Sequence, residues 1–185
     1  MITATRGHVR TGIAPDHCRL AAANRVGSVT DPTVMSYSRT YPLELEPTFD
    51  AVLALPLDVL FDKRYAAIPP IRATDGPADW GTVGQARTIR LSGGGTMREQ
   101  LTLVDRPRAF GYRIDQVTGP MKPLADHIDG LWSFAPAGTG TRITWQWKMH
   151  PRSAGSAAAL PLFAKMWTGY ARQSLERIEE LLLPA

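Results

Sequence analysis

The sequence predicts one α+β domain, in which a curved antiparallel sheet surrounds a long carboxy-terminal helix and two short helices follow the first strand. Two patterns carry this prediction: apolar and polar residues alternate with the period of strands between residues 86 and 150, and residues 160–182 repeat with the period of a helix. The chain has 185 residues, 44% of them hydrophobic and 21% charged, which is the composition of one globular domain.

The first elements follow from alternation and from proline. Tyr37, Arg39 and Tyr41 alternate with polar residues and predict a first strand from Ser36 to Leu45. Glu46–Pro47 predicts a helix start, with the glutamate as cap and the proline as first helical residue. A second short helix is predicted over 57–65, after Pro56 interrupts the first.

Residues 68–81 are rich in proline and glycine and are predicted to be irregular. A series of strands then follows, with inward sets centred on 87–91, 97–103, 110–114, 132–134 and 143–149. Gly93–Gly95 predicts a three-residue hairpin loop, which would set Glu99 opposite Ile89 and diagonal to Arg87.

The last element is an amphipathic helix that begins near Leu160, with Pro161 in its first turn. Residues 1–34 show no periodicity and are predicted to be a flexible tail, which leaves 35–185 as the folded domain.

Charge and composition exclude several classes of protein. The net charge is +4, but residues 1–40 hold five arginines and two aspartates, so the remainder carries only +1. Such a body lacks the clustered cations of a nucleic-acid-binding protein. The single cysteine, Cys18, excludes an internal disulfide framework. No apolar stretch has the roughly 20 residues of a membrane span, and no apolar leader is visible, so we expect no integral membrane association and a cytoplasmic location.

Three segments resemble a known superfamily: 80–114 (WGTVGQARTIRLSGGGTMREQLTLVDRPRAFGYRI), 130–147 (GLWSFAPAGTGTRITWQW) and 163–182 (FAKMWTGYARQSLERIEELL). They are similar to the START-related helix-grip proteins (SRPBCC), which include polyketide cyclases and dehydrases, lipid-transfer proteins and pollen-allergen-type proteins. The resemblance covers about residues 36–183 and implies a helix-grip fold. It supplies no fixed catalytic residues, because this fold hosts carriers, receptors and enzymes.

The resemblance also implies an apolar cavity between the sheet and the long helix. The residues expected to bind a ligand there are Phe110, Trp132, Trp145, Trp147, Phe163, Met166, Trp167 and Tyr170. Tyrosine and tryptophan combine apolar area with a polar group, which suits an amphipathic ligand. The alternative is that these aromatic residues fill a solid core, since protein interiors normally pack without voids.

Two charged residues fall on the inward face of the predicted strands, Arg87 and Glu99. One interpretation is a buried ion pair that stabilises the sheet. The other is a functional couple in which Arg87 binds a carboxylate or phenolate and Glu99 transfers protons, with Tyr112 as hydrogen-bond donor.

Other chemistry finds little support in the sequence. His8, His17, His127 and His150 show no metal-ligand spacing, and His127 is predicted to lie in a loop, so no metal and no cofactor are expected. There is no nucleophile elbow and no dinucleotide fingerprint.

The leading hypothesis is therefore a protein, monomeric or homodimeric, that binds a small hydrophobic or aromatic ligand such as a lipid, sterol or polyketide. One alternative is a cofactor-free polyketide cyclase or dehydratase that uses Glu99 as base, Tyr112 as donor and Arg87 to stabilise an enolate. A second alternative is a protein-interaction module that docks a partner through its surface.

Overall fold

The computed structural model describes residues 31–183. The predicted tail of residues 1–34, with Cys18, lies outside the described residues except for its last four positions. Thr33 and Val34 at its end belong to the first strand.

In the described part of the chain, seven antiparallel strands form one sheet: β1 (Thr33–Tyr41), β2 (Ile71–Asp75), β3 (Ala86–Leu91), β4 (Thr96–Asp105), β5 (Ala109–Asp115), β6 (Ala125–Ala137) and β7 (Gly140–Pro151). Their order across the sheet is β1-β7-β6-β5-β4-β3-β2, so the first strand pairs with the last one and β2 is an edge. The helices are α1 (Leu45–Ala54), α2 (Leu57–Leu60) and α3 (Ala154–Leu182), with a 3-10 turn over Gly119–Met121.

The long helix α3 packs on β1 and β7, while α1 packs on β6 and β7 and α2 on β2 and α3. The Tyr41 hydroxyl donates to the Leu175 carbonyl at 2.7 Å and ties the end of β1 to α3. Arg39, also on β1, forms an ion pair with Glu179 of the same helix. This arrangement confirms the predicted α+β fold, with a curved antiparallel sheet around the terminal helix.

The boundary between the first strand and the first helix differs from the prediction. β1 ends at Tyr41 because Pro42 has no N–H to donate to the ladder. Glu44 is the N-cap and α1 begins at Leu45, so the predicted strand end at Leu45 and helix start at Pro47 are wrong. Pro47 is tolerated at the third helical position because N–H groups of the first turn have no partner within the helix.

The next two predictions also need correction. α2 ends at Leu60 rather than near Tyr65, because the following Phe61 carbonyl accepts a hydrogen bond from the Ile71 N–H at 2.9 Å. Ile71 begins β2, which the prediction of an irregular segment over 68–81 missed. This edge strand has five residues between Pro70 and Gly76, too few for a visible alternation.

Two elements begin earlier than predicted. α3 starts at Ala154 instead of Leu160, because Ser153 and Ser156 form a capping box. The Ser153 hydroxyl oxygen accepts from the Ser156 N–H, and the Ser156 hydroxyl oxygen accepts from the Ser153 N–H. Pro161 consequently lies inside the helix and not in its first turn. β6 begins at Ala125, which places His127 in a strand and not in the predicted loop.

Candidate functional site

A cavity lies between the concave face of the sheet and the helices. Its walls are mostly apolar and come from α1, α2, the strands β2–β7 and Tyr170 of α3. Half-buried side chains form part of its wall, among them Leu53, Leu57 and Trp80. The space that the centre of a water molecule can occupy inside is about 60 Å³. A buried water needs about 10–15 Å³ by this measure, so the cavity has room for a few waters.

Arg87 and Glu99 line this cavity and face each other directly across β3 and β4. The predicted pairing of Glu99 with Ile89 is wrong by two residues, because the three-residue loop is Ser92–Gly94, with Leu91 opposite Gly95, and not Gly93–Gly95. Arg87 Nε donates to a carboxylate oxygen of Glu99 at 2.5 Å. The two side chains are only 12% and 6% exposed, so this ion pair is buried in the cavity wall.

The pair is incompletely satisfied. Burial raises the pKa of Glu99 above its ordinary value, although the Arg87 guanidinium acts in the opposite direction. Of the three nitrogens of the Arg87 guanidinium, Nε alone has a hydrogen-bond acceptor among residues 31–183. Nη1 and Nη2 have no acceptor there. The guanidinium carbon lies 4.0 Å from the centre of the Trp80 ring, so an aromatic face covers the cation. Planar N–H donors next to an apolar cavity suit a carboxylate, phenolate or enolate oxygen.

Tyr112 brings a third polar group to the cavity wall. Its hydroxyl oxygen accepts hydrogen bonds from the indole N–H groups of Trp145 and Trp147, both at 2.8 Å. These two bonds occupy the acceptor positions of the oxygen, so the hydroxyl interacts with anything else through its own proton. Burial raises the pKa of the Tyr112 phenol and keeps it neutral. Tyr112 is therefore a hydrogen-bond donor with a fixed position.

The structure divides the predicted ligand-binding residues into two groups. Those that line the cavity are Phe110, Trp132, Trp145, Trp147 and Tyr170, and they do so together with Glu99, Arg87 and Tyr112. Phe163, Met166 and Trp167 do not line it.

A packed aromatic cluster explains this division. The rings of Trp132 and Trp145 stack with centroids 4.9 Å apart, and Trp167 packs against Trp145 and Trp147 at 5.0 and 5.7 Å. The Trp167 side chain is fully buried. Trp167 of α3 is thus part of a packed aromatic core, whereas a cavity remains on the side of Arg87. Ligand binding by the residues that line it stays a prediction.

Sequence reasoning missed the wall contributed by α1, α2 and Trp80. Leu57 and Leu60 belong to α2, a helix too short for a clear apolar stripe, and Phe61 follows directly after it. Trp80 lies in the proline- and glycine-rich segment that was predicted to be irregular. The tryptophan in this segment is the signal that could have found it, because the large apolar area of its ring favours burial against the core.

A curved antiparallel sheet around a long terminal helix, with two short helices after the first strand, defines the helix-grip fold. The sequence profile described as polyketide cyclase / dehydrase and lipid transport matches residues 25–182. The chain belongs to this family, which confirms the resemblance noted in the sequence. None of the curated proteins compared with the chain matches it.

Solved structures with the same fold share little sequence with the chain. Ara h 8.0201 is 13% identical, with a TM-score of 0.57, and the match covers 83% of this chain and 99% of that one. The major latex-like protein 151 of Panax ginseng is 11% identical, with a TM-score of 0.64 and coverage of 83% and 99%. A protein from Thermus thermophilus is 16% identical, with a TM-score of 0.59 and coverage of 83% and 100%. At these identities the likeness shows the fold alone.

Within residues 31–183 no helix is both long enough and apolar enough to cross a bilayer.

Proposed function

We propose that the protein binds a small amphipathic ligand, whose apolar or aromatic body lies in the cavity and whose acidic or carbonyl oxygen meets Arg87, Glu99 and Tyr112. The observation that carries this proposal is the buried ion pair of Arg87 and Glu99, in which Glu99 accepts from only one of the three guanidinium nitrogens. Nη1 and Nη2 of Arg87 have no acceptor among residues 31–183 and lie in the wall of an apolar cavity, so a ligand oxygen in that cavity could accept hydrogen bonds from them.

The size of the cavity limits the ligand. About 60 Å³ of accessible space is less than half of the roughly 150 Å³ of an apolar cavity that binds benzene, so even one ring with a short polar arm, for example an aromatic carboxylic acid, requires the cavity to widen somewhat. A sterol or a multi-ring polyketide requires the cavity to enlarge through movement of Leu53, Leu57 and Trp80, the half-buried side chains of its wall.

The binding proposal is tested with matched pairs of ligands. Aromatic carboxylic acids and their methyl esters are titrated into the full chain, with tryptophan fluorescence and melting temperature as readouts, and fatty acids, sterols and polyphenols complete the panel. We expect the acid to bind at least tenfold more tightly than its ester, because only the ionised acid offers two charged carboxylate oxygens to the guanidinium. Arg87→Met should remove that preference. Failure of every compound to change either readout would refute the proposal.

A second candidate function is a cofactor-free cyclase or dehydratase. The raised pKa of Glu99 favours it, because a carboxylate in an apolar site is a stronger base than one in water. Glu99 would remove a proton from the methylene group between two carbonyls of a poly-β-ketone. Arg87 and the Tyr112 hydroxyl would stabilise the enolate oxygen.

The two functions are separated by one variant. Glu99→Gln should abolish turnover of a poly-β-ketone while retaining ligand binding if the protein is an enzyme. If the protein only binds its ligand, no turnover above the uncatalysed rate is expected from the unsubstituted chain, although the ligand panel still gives a signal.

A further inference from the structure

A second group of polar side chains lies on the outer face of the sheet, away from the cavity. His127 on β6 and His150 on β7 are register partners across the two strands. Their rings stack with centroids 4.0 Å apart and planes inclined by 16°. Each histidine side chain is 25% exposed, so the pair is partly buried at the surface of the sheet.

Asp129 completes the group. Its Oδ2 lies 3.0 Å from Nε2 of His150 and 3.9 Å from Nε2 of His127. The other oxygen, Oδ1, accepts a hydrogen bond from Nε of Arg113 at 2.9 Å. Arg113 therefore orients the carboxylate, while Oδ2 faces both histidines and shares a hydrogen bond with Nε2 of His150 that a bound metal ion would replace.

A fourth residue orients one imidazole. Nδ1 of His127 lies 3.0 Å from a carboxylate oxygen of Asp126. Donation from Nδ1 to that carboxylate places the free lone pair of His127 on Nε2, the atom that faces Asp129. A carboxylate behind a histidine is the usual outer partner of a metal-bound imidazole.

We propose that His127, His150 and Asp129 bind one divalent first-row transition-metal ion such as Zn²⁺. Two imidazoles and one carboxylate suit zinc, nickel or copper, whereas magnesium and calcium prefer ligand sets made of oxygen. Coordination requires the stacked rings to splay slightly, because the lone pairs of parallel rings do not converge on one point. Sequence spacing predicted no metal because these ligands meet only through the pairing of β6 with β7.

The surroundings set the strength and the consequence of binding. Arg113 and the register partner Lys148 place two cations beside Asp129, so we expect affinity in the micromolar range rather than tighter. An ion shared by His127 and His150 would join the start of β6 to the end of β7, close to the point where the chain enters α3. Metal binding should therefore raise the melting temperature.

The experiment is a calorimetric titration of Zn²⁺ into the full chain at pH 7.5. The amino-terminal segment holds other potential ligands, so the reference protein carries His8→Asn, His17→Asn and Cys18→Ser. We expect one ion per chain in this reference, at least a tenfold loss of affinity in His127→Asn and in His150→Asn, and a smaller loss in Asp126→Asn. Absence of binding, or equal binding when both strand histidines are replaced, would overturn the proposal.

A measurement on the unsubstituted chain avoids any folding defect of the variants. Paramagnetic Ni²⁺ should shift or broaden the ring-proton NMR signals of His127 and His150 together, in proportion to the ion added. Signals of these two rings that stay unchanged at saturating Ni²⁺ would also refute the site.

Discussion

Gly130 has no side chain at the position where the ring of Tyr112 lies. The two residues are register partners on β6 and β5, and a Cβ on Gly130 would lie 2.1 Å from Cζ of Tyr112. No real Cβ contact is that short, and ring atoms next to a packed strand have little freedom to move. Gly130 thus fixes where the Tyr112 hydroxyl meets the two indoles and the cavity.

Gly130→Ala is therefore expected to displace Tyr112 and break both indole hydrogen bonds. The loss of unfolding free energy should be about 3 kcal/mol, from overpacking and two lost hydrogen bonds. Urea unfolding measures it. Gly155→Ala, in the first turn of α3, has no close contact and should be neutral or slightly stabilising. Equal stability of the two variants would contradict this account.

Tyr112→Phe tests the hydroxyl without moving the ring. The indole N–H groups of Trp145 and Trp147 would lose their acceptor inside the core, at a cost of about 2–4 kcal/mol. Denaturant unfolding reports the loss, and ligand affinity should fall as well. Tyr37→Phe is the control, because the Tyr37 hydroxyl has no hydrogen-bond partner among residues 31–183, and its stability should be unchanged.

Glu99 should impose a pH dependence on stability. Its pKa is raised in the folded protein, so the folded state holds this proton at higher pH than the unfolded chain does. The stabilisation is complete below the ordinary pKa of 4.5 and is lost as pH rises through the raised pKa. Asp50 and Asp105 should change stability with pH in the opposite direction. Hydrogen bonds from Arg106 and Arg108 lower their pKa values, so their contributions are lost as the pH falls.

Subtracting a variant isolates the Glu99 contribution. The unfolding free energy of the unsubstituted chain minus that of Glu99→Gln should fall as pH rises above 4.5, while the contributions of exposed carboxylates cancel. Urea titrations at several pH values between 4.5 and 9 provide the difference. A difference that stays constant would show that Glu99 is ionised throughout this range.

Binding of an anionic ligand should be coupled to proton uptake. A ligand carboxylate that accepts hydrogen bonds from Arg87 places a second negative charge near Glu99 and offsets part of the guanidinium charge. The pKa of Glu99 should then rise further. Affinity for an aromatic acid should consequently decrease as pH rises through the pKa of Glu99 in the free protein. Calorimetry in buffers of different ionisation enthalpy counts the protons, and Glu99→Gln should show none.

Trp80→Ala should open the cavity. It removes a half-buried wall residue and the aromatic face above Arg87, a contact worth about 1 kcal/mol. Stopped-flow fluorescence of the remaining tryptophans should show faster ligand association, with a modest decrease in melting temperature. Unchanged association would mean that ligands reach the cavity by a different route.

The fold could be predicted well because its signals are local. The alternation of Ile143, Trp145 and Trp147 in β7 follows the period of a strand that buries one face, and the apolar stripe of α3 follows that of a helix. The errors fall where local signals compete. Pro161 suggested a first helical turn, although Ser153 had already capped the helix several residues earlier.

The candidate site was predictable only in part. Arg87 and Glu99 were recognisable as charges on an apolar face, and the structure places them and Tyr112 on the same cavity wall. Their direct pairing depended on the position of the hairpin loop, since moving the loop by one residue shifts the strand pairing by two and changes which side chains are opposite. Trp147 and Trp167 each lie on the apolar face of their own element, so periodicity predicts burial for both. The structure shows that Trp147 lines the cavity and Trp167 does not.

Sequence by itself determined the α+β class, the inward set of strand residues and the presence of two charges among them. These features follow from the residue types and their local periodicity. Only the tertiary structure decided which aromatic rings pack together, how much space remains beside Arg87, and that His127, Asp129 and His150 meet on the outer face. These outcomes depend on strand register and on the fit of side chains from distant segments, which no local pattern encodes.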